Sequence, residues 1–289
     1  MDVKKVFFEQ LSFFISVPAL IWQFFFLYFP LAFIVYLSFV SSDSADAGFT
    51  LAHYASFLSW PYIAIVARSF GLAFVNATVS LCLAYPVAYF LALHMKRWKH
   101  IFLFLMILPF WTSLLVQVYA WFFVLEPYGV VNTVLLSIGI ISEPLQLLNS
   151  IYAVFLGMVY CYVPFMVVPL YSSLENLDAR LLEASADLGA SAVETFRRIT
   201  LPLSLPGIRT GFFLVFIPSF GEFVIPALLG GGRRMYVGTL ISHYFLVLQD
   251  SFTGSAFTVL VGVILLLSVF LTYYLLRISI MFLSGGMSE

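Results

Sequence analysis

A lone carboxylate, Glu222, interrupts the apolar run FIPSFGEFVIPALLGG, with Pro218, Gly221 and Pro226 around it. Proline removes backbone donors and glycine loosens the chain, so the pattern predicts a helix bent or unwound at the carboxylate. An ionised group is costly in hydrocarbon and must face a partner or water, so the chemistry on offer is attraction of a cation. The structural alternative is a pair with Arg68. Gln117 and Asn76 add hydrogen-bonding groups inside apolar segments, either as lining of a pathway or as bonds between helices. Trp111, Tyr119 and Trp121 offer aromatic faces to an ammonium group, though with 19% aromatics most rings here serve packing and interfacial belts. Glu126, followed by Pro127, marks the outer end of its segment, where it attracts cations or is simply solvated.

Other chemistries find no support. His53, His94, His100 and His243 are scattered over different segments, and Cys82 and Cys161 have no metal or redox spacing, so no metal site is expected and both cysteines read as packing residues. There is no G-x-x-x-x-G-K-[ST] phosphate loop; the GGGRR stretch lacks its spacing. Neither a G-x-S-x-G elbow nor an H-E-x-x-H pair occurs, which argues against an enzyme. Energy for uphill work must come from outside the chain. An ion-coupled carrier is the rival, and it would show inverted halves and more buried ionisable groups.

The elements that must position these residues are membrane helices. A chain of 289 residues with 63% hydrophobic and 9% charged residues has too little polar surface for a soluble domain of its size. At about 20 residues per crossing, it divides into six spans, near 11–40, 62–93, 101–125, 150–174, 206–229 and 252–276. The first is kinked at Pro18 and Pro30, and the stretch 127–147 is suited only to a short interfacial helix. With the amino terminus inside, Lys4, Lys5, Lys96, Arg97, Lys99, Arg180, Arg197, Arg198, Arg209 and Arg277 all fall inside. Arg68, Arg233 and Arg234 are left outside, and the loop with Asp43 and Asp46 is external. Both termini are then cytoplasmic. A net charge of −1 argues neither for nor against a partner, and no basic run suggests nucleic acid.

The longest polar island is DARLLEASADLGASAVETFRRITLPLSLPG, from Asp178 to Gly207. Asp178 is placed to cap one helix with a Leu181, Ala184, Leu188 stripe, and Gly189 stands where a left-handed residue ends it. Ser191 and Glu194 form an S-x-x-E capping box for a second helix, which carries Arg197 and Arg198 and which Pro202 is expected to stop. Ala184, Ala186 and Gly189 are small enough for the backbone of a partner to approach. The whole reads as a docking surface spanning 175–205.

Here the residues resemble a family. Glu183-Ala184, Gly189, Ile199 and Leu201-Pro202 are similar to the E-A-A-x3-G-x9-I-x-L-P signature of permease subunits of bacterial ABC importers, with Ser185 in place of the second Ala. The stretches PFWTSLLVQVYAW, VPFMVVPLYSSLENLDARLLEASADLGAS and FIPSFGEFVIPALLGG resemble the spermidine/putrescine importer permeases, from about Tyr62 to the sixth span. The resemblance implies an all-α type I permease fold in the bacterial inner membrane that moves polyamines from periplasm to cytoplasm by alternating access. It implies that the 175–205 segment forms cytoplasmic coupling helices docking an ATP-binding cassette ATPase dimer, which binds ATP and Mg. A second homologous permease and a periplasmic substrate-binding protein complete the expected assembly. Related permeases carry iron, sulfate or other solutes on the same scaffold, so another small solute is the alternative.

Overall fold

The computed structural model describes residues 17–41, 48–95 and 97–285, with side chains through 274. The expectations for Lys4, Lys5, Asp43, Asp46 and Lys96, for residues 11–16 of the first span and for the Arg277 side chain lie outside the described residues. The described chain is helical, apart from one isolated bridge between Val40 and Phe49. Six of its helical stretches are long and apolar enough to cross a membrane, one of them the run Leu114–Ser137, which includes a turn at 126–129.

The helices used below are α1 (Val17–Ser38), α2 (Trp60–His94), α3 (Lys99–Trp111), α4 (Leu114–Leu125), α5 (Val130–Ser137) and α6 (Ile151–Glu175). They continue with α7 (Ala179–Asp187), α8 (Ala192–Phe220), α9 (Val224–Leu229), α10 (Val237–Val247) and α11 (Ser251–Gly285). The expected 101–125 segment is not one rod. It is α3, closed by a 3-10 turn at Leu108–Trp111, then an extended pair at Thr112 and Ser113, then α4. Pro109 fits the first positions of that turn, where its missing N–H costs nothing. The expected 206–229 segment likewise divides, with α8 ending at Phe220, an irregular stretch at 221–223, and α9 folding away after it.

Two helices carry a five-residue wide turn just ahead of a proline: Phe24–Tyr28 before Pro30, and Phe196–Thr200 before Pro202. A proline ring clashes with the carbonyl four residues back, and widening the turn moves that carbonyl aside. This overturns the expectation that Pro202 stops the second arm. The helix runs on from Ala192 through Pro202 to Phe220, so the polar arm and the membrane helix are one continuous element.

The chain packs as two compact units, Met1–Ile63 with Ile241–Val263, and Ala64–Leu240 with Ile264–Glu289. In the first, Phe57 and Phe257 are buried edge to face with centroids 5.1 Å apart, and the Tyr62 and Tyr244 hydroxyls bond at 2.8 Å. The second holds every residue singled out above as a site candidate. Its centre is the crossing of α6 and α8, where Gly207 and Gly211 sit four residues apart on one face. A Cβ at Gly207 would lie 2.6 Å from the Pro169 carbonyl oxygen and from Ser173 Cβ, and one at Gly211 would lie 2.7 Å from Met166 Sδ. Small residues at this spacing let two membrane helices touch along their backbones. The same logic seats α9, since a Cβ at Gly157 of α6 would lie 2.6 Å from Leu229 Cδ1. Polar bonds then tie α2 to its neighbours: Asn76 Nδ2 donates to Ser219 Oγ at 2.8 Å, Tyr85 pairs with Ser204 at 2.9 Å, and Ser69 Oγ accepts from the Val237 N–H at 2.8 Å.

Candidate functional site

The polar segment is built locally. Asp178 Oδ1 accepts the Arg180 N–H at 3.0 Å and starts α7. The helix ends in a turn in which the Gly189 N–H reaches the Ala186 carbonyl and the Ala190 N–H reaches back to that of Ser185. Gly189 has φ +80° there, and no atom lies within 4 Å of where a Cβ would stand. Glycine is needed for its backbone angle and not for tight packing. The capping box is formed in both directions, with the Ser191 hydroxyl accepting the Glu194 N–H and the Glu194 carboxylate accepting the Ser191 N–H at 2.9 Å. One contact was invisible in the sequence. Ser185, which stands in place of the signature's second Ala, is buried and its hydroxyl bonds Thr195 Oγ1 at 2.9 Å, joining the two arms across the bend. Leu188 and Val193 stand exposed at 87% and 65%, an apolar surface on the outside of that bend.

Lys99, at the start of α3, pairs with Glu175 at the last turn of α6 at 2.5 Å, and this bond holds the Lys99 ammonium above its ordinary pKa. The basic turn after α2 and the polar segment after α6 are thereby brought to the same end of the second unit.

Away from that end, Glu222 is 7% exposed and is the one buried charged side chain among the described residues. It does not pair with Arg68, whose Nη1 instead donates to the Met235 carbonyl at 3.1 Å. Glu222 lies just after the end of α8, where the next backbone N–H groups have no helical acceptor. Its Oε1 accepts those of Val224 at 2.9 Å and Ile225 at 3.4 Å, so the carboxylate caps α9. Oε2 accepts the Tyr162 hydroxyl at 2.6 Å.

Tyr162 lines a cavity of about 620 Å³ between α3, α4, α6 and the end of α8. Gln117 lines it too. Its Nε2 donates to the Pro109 carbonyl and, at 3.0 Å, to Thr112 Oγ1, while its Oε1 accepts the Cys161 thiol at 3.6 Å. Phe110 and Phe165, edge to face at 4.7 Å, and Tyr160 complete the aromatic wall.

Of the seven pathway candidates, the structure therefore brings two together: Gln117 on the cavity wall and Glu222 directly behind Tyr162. Trp121 reaches the wall only through Tyr160, at 5.3 Å between centroids. Asn76 is fully buried in its bond to Ser219 and is not among the residues lining this cavity. Trp111 is 77% exposed against Phe104, Tyr119 is half exposed, and Glu126 closes α4 with its carbonyl accepting from Asn132 Nδ2 at 3.2 Å. Tyr162 and Cys161 were missed as site residues. The signal available was their place two and three residues ahead of Pro164, but nothing in the sequence ties them to residues 117 or 222.

Comparison with known proteins places this architecture. Residues 84–280 match the model of the family described as binding-protein-dependent transport system inner membrane component. The chain is 36% identical over 255 residues to the spermidine/putrescine transport system permease protein PotB of Haemophilus influenzae, covering 87% of this chain and 89% of that one. It is 38% identical over 252 residues to PotB of Escherichia coli K12, covering 85% and 92%. A crystal structure of a bacterial ABC transporter involved in the import of the acidic polysaccharide alginate shares the fold with a TM-score of 0.74 at 18% identity, over 95% of this chain and 97% of that one. Six apolar helices, a fold shared with an ABC importer and a family match over most of the chain agree: this protein belongs to the inner-membrane permease components of binding-protein-dependent ABC importers.

Proposed function

We propose that this permease carries polyamines of the spermidine/putrescine class inward, driven by a separate ATPase dimer that binds ATP and Mg and docks on the 175–205 segment. The observation that carries the substrate is the 36% to 38% identity to spermidine/putrescine permeases over 85% or more of the chain. Fold alone would not decide it, since an importer of an acidic polysaccharide has the same architecture. The charge inside this chain agrees with a cation, because the one buried charged group among the described residues is a carboxylate.

The assembly in this reading contains a second homologous permease and a periplasmic substrate-binding protein. Docking falls to Glu183, Ala184, Ala186, Gly189, Ile199, Leu201 and Pro202. The continuous helix from Ala192 to Phe220 supports this role, because a push on the docked arm is transmitted without a joint to the break beside Glu222. Both termini and the 175–205 segment are cytoplasmic in this reading, the side that supplies ATP.

The test is uptake by vesicles holding the complete complex with its binding protein. ATP-dependent accumulation of spermidine or putrescine is expected, and accumulation of neither, with ATP hydrolysis intact, overturns the substrate. A fusion reporter after Ser191 checks topology. Alkaline phosphatase activity from that position overturns both the orientation and the docking assignment.

A further inference from the structure

The cavity beside Glu222 has an unusual donor and acceptor balance. Five polar side chains line it: Thr112, Gln117, Tyr160, Cys161 and Tyr162. Four of them have their protons committed away from the open space. The Thr112 hydroxyl donates to the Pro109 carbonyl, and both Gln117 N–H groups are used on Pro109 and Thr112. The Cys161 thiol donates to Gln117, and the Tyr162 hydroxyl donates to Glu222. Toward any further partner, Thr112 Oγ1, Gln117 Oε1 and the Tyr162 oxygen can only accept. No Lys, Arg or His is among the lining residues.

The Gln117 orientation is not a matter of choice. The Pro109 carbonyl can only accept, so the amide nitrogen must face it and the oxygen must face the cavity side. The Pro109 carbonyl also accepts the Thr112 N–H that closes the 3-10 turn, at 3.0 Å, so the turn holds it in place beside the Gln117 amide.

We infer that this cavity is a binding site for a primary alkylammonium group, held by the Gln117, Thr112 and Tyr162 oxygens with the Glu222 carboxylate as its counter-charge through Tyr162. An ammonium has three donors and no acceptor, which is the complement of this wall. Phe110 and Phe165 present apolar and aromatic surface to the attached methylene chain, and ring faces attract the cation. The volume, about 620 Å³, is within the range of small-ligand sites. The identity of the cation as a polyamine rests on the function proposed above, whereas the charge preference rests on the cavity alone.

The native Cys161 thiol is a reporter already in the wall. The complete complex, with Cys82→Ser in this chain, is treated with aminoethyl and sulfonatoethyl methanethiosulfonate, cationic and anionic reagents of similar size. Modification at Cys161 is read by peptide mass, and each rate is normalised to that of a free thiol. The cationic reagent is expected to react at least tenfold faster, and Glu222→Gln, at equal complex abundance, is expected to remove most of that preference. Equal normalised rates, no reaction with either reagent, or a preference untouched by Glu222→Gln overturns the site; the second outcome is the one a lipid chain filling the cavity would give.

Excess spermidine is then added during labelling. Protection against the cationic reagent supports the polyamine as ligand; cation preference without protection keeps the ammonium site and overturns only the polyamine identity. If Glu222→Gln fails to assemble, Gln117→Met takes its place, since it removes an acceptor without baring a buried charge. It should raise the KM of uptake roughly tenfold with kcat little changed, as loss of one hydrogen bond to a charged group predicts. An unchanged KM overturns the role of Gln117.

Discussion

In the polar segment after α6, the bonds that set the shape join residues close in the chain: Asp178 to Arg180, Ser191 to Glu194, and, at the longest, Ser185 to Thr195 across ten positions. Around the membrane cavity they join Cys161 to Gln117, 44 positions apart, and Tyr162 to Glu222, 60 apart. The form of the first region is set by bonds within its own stretch of chain. The second exists only while α3, α4, α6 and α8 hold their places, so a shift of any one of them opens or closes it.

The hardest test of that contrast is to disturb the helix crossing and leave the polar segment alone. Gly207→Leu puts a side chain where a single Cβ already lies 2.6 Å from a backbone carbonyl. It should lower stability by about 3 kcal/mol, seen as a drop in the melting temperature of the purified complex. The cavity should be lost with it, so Cys161 labelling should no longer distinguish the two reagents. A normal melting temperature would mean that the α6 and α8 backbones are not in contact.

A smaller effect is expected at the bend. Gly189 has φ +80° with open space around it, so the backbone angle decides the outcome. Gly189→Val should cost about 1–2 kcal/mol locally and cut uptake and ATPase copurification while membrane insertion stays normal. Gly189→Asn should retain most of both, because Asn accepts the left-handed region far better. Equal behaviour of the two variants would show that volume, not backbone angle, governs the bend. Gly189→Trp should behave as Val does, with its ring added at the proposed docking face.

The smallest effect concerns the bond across the arms. Ser185→Ala and Thr195→Ala should each reduce ATPase copurification slightly, and the double variant should be no worse than either single one, a coupling of about 1 kcal/mol. Strict additivity would mean the two hydroxyls act apart.

The same contrast explains which features were legible. The Asp178 cap, the Ser191 and Glu194 box and the left-handed Gly189 depend on residues within a few positions of one another, and local chemistry predicts them. Proline is expected to stop a helix because its ring meets the carbonyl four residues back, but the wide turn at Phe196–Thr200 accommodates the Pro202 ring and lets the helix continue. Arg68 was a reasonable partner for Glu222 by charge and depth, but the carboxylate is used by the N–H groups left bare at the start of α9 and by Tyr162. Nothing near residue 185 suggested that its hydroxyl would be buried against Thr195.

The amino-acid sequence by itself determined the solvent this protein lives in, the number of apolar segments and the form of its polar bend. Composition, segment length and capping are properties of short windows, and water or lipid acts on them directly. Only the tertiary structure decided the break at Thr112 and Ser113, the close crossing at Gly207 and Gly211, and the inward commitment of the cavity protons. In an apolar medium almost every helix face is hydrophobic, so the pattern of side chains does not say which face meets which. That choice is made by small residues that let backbones touch and by the few polar groups that must find one another.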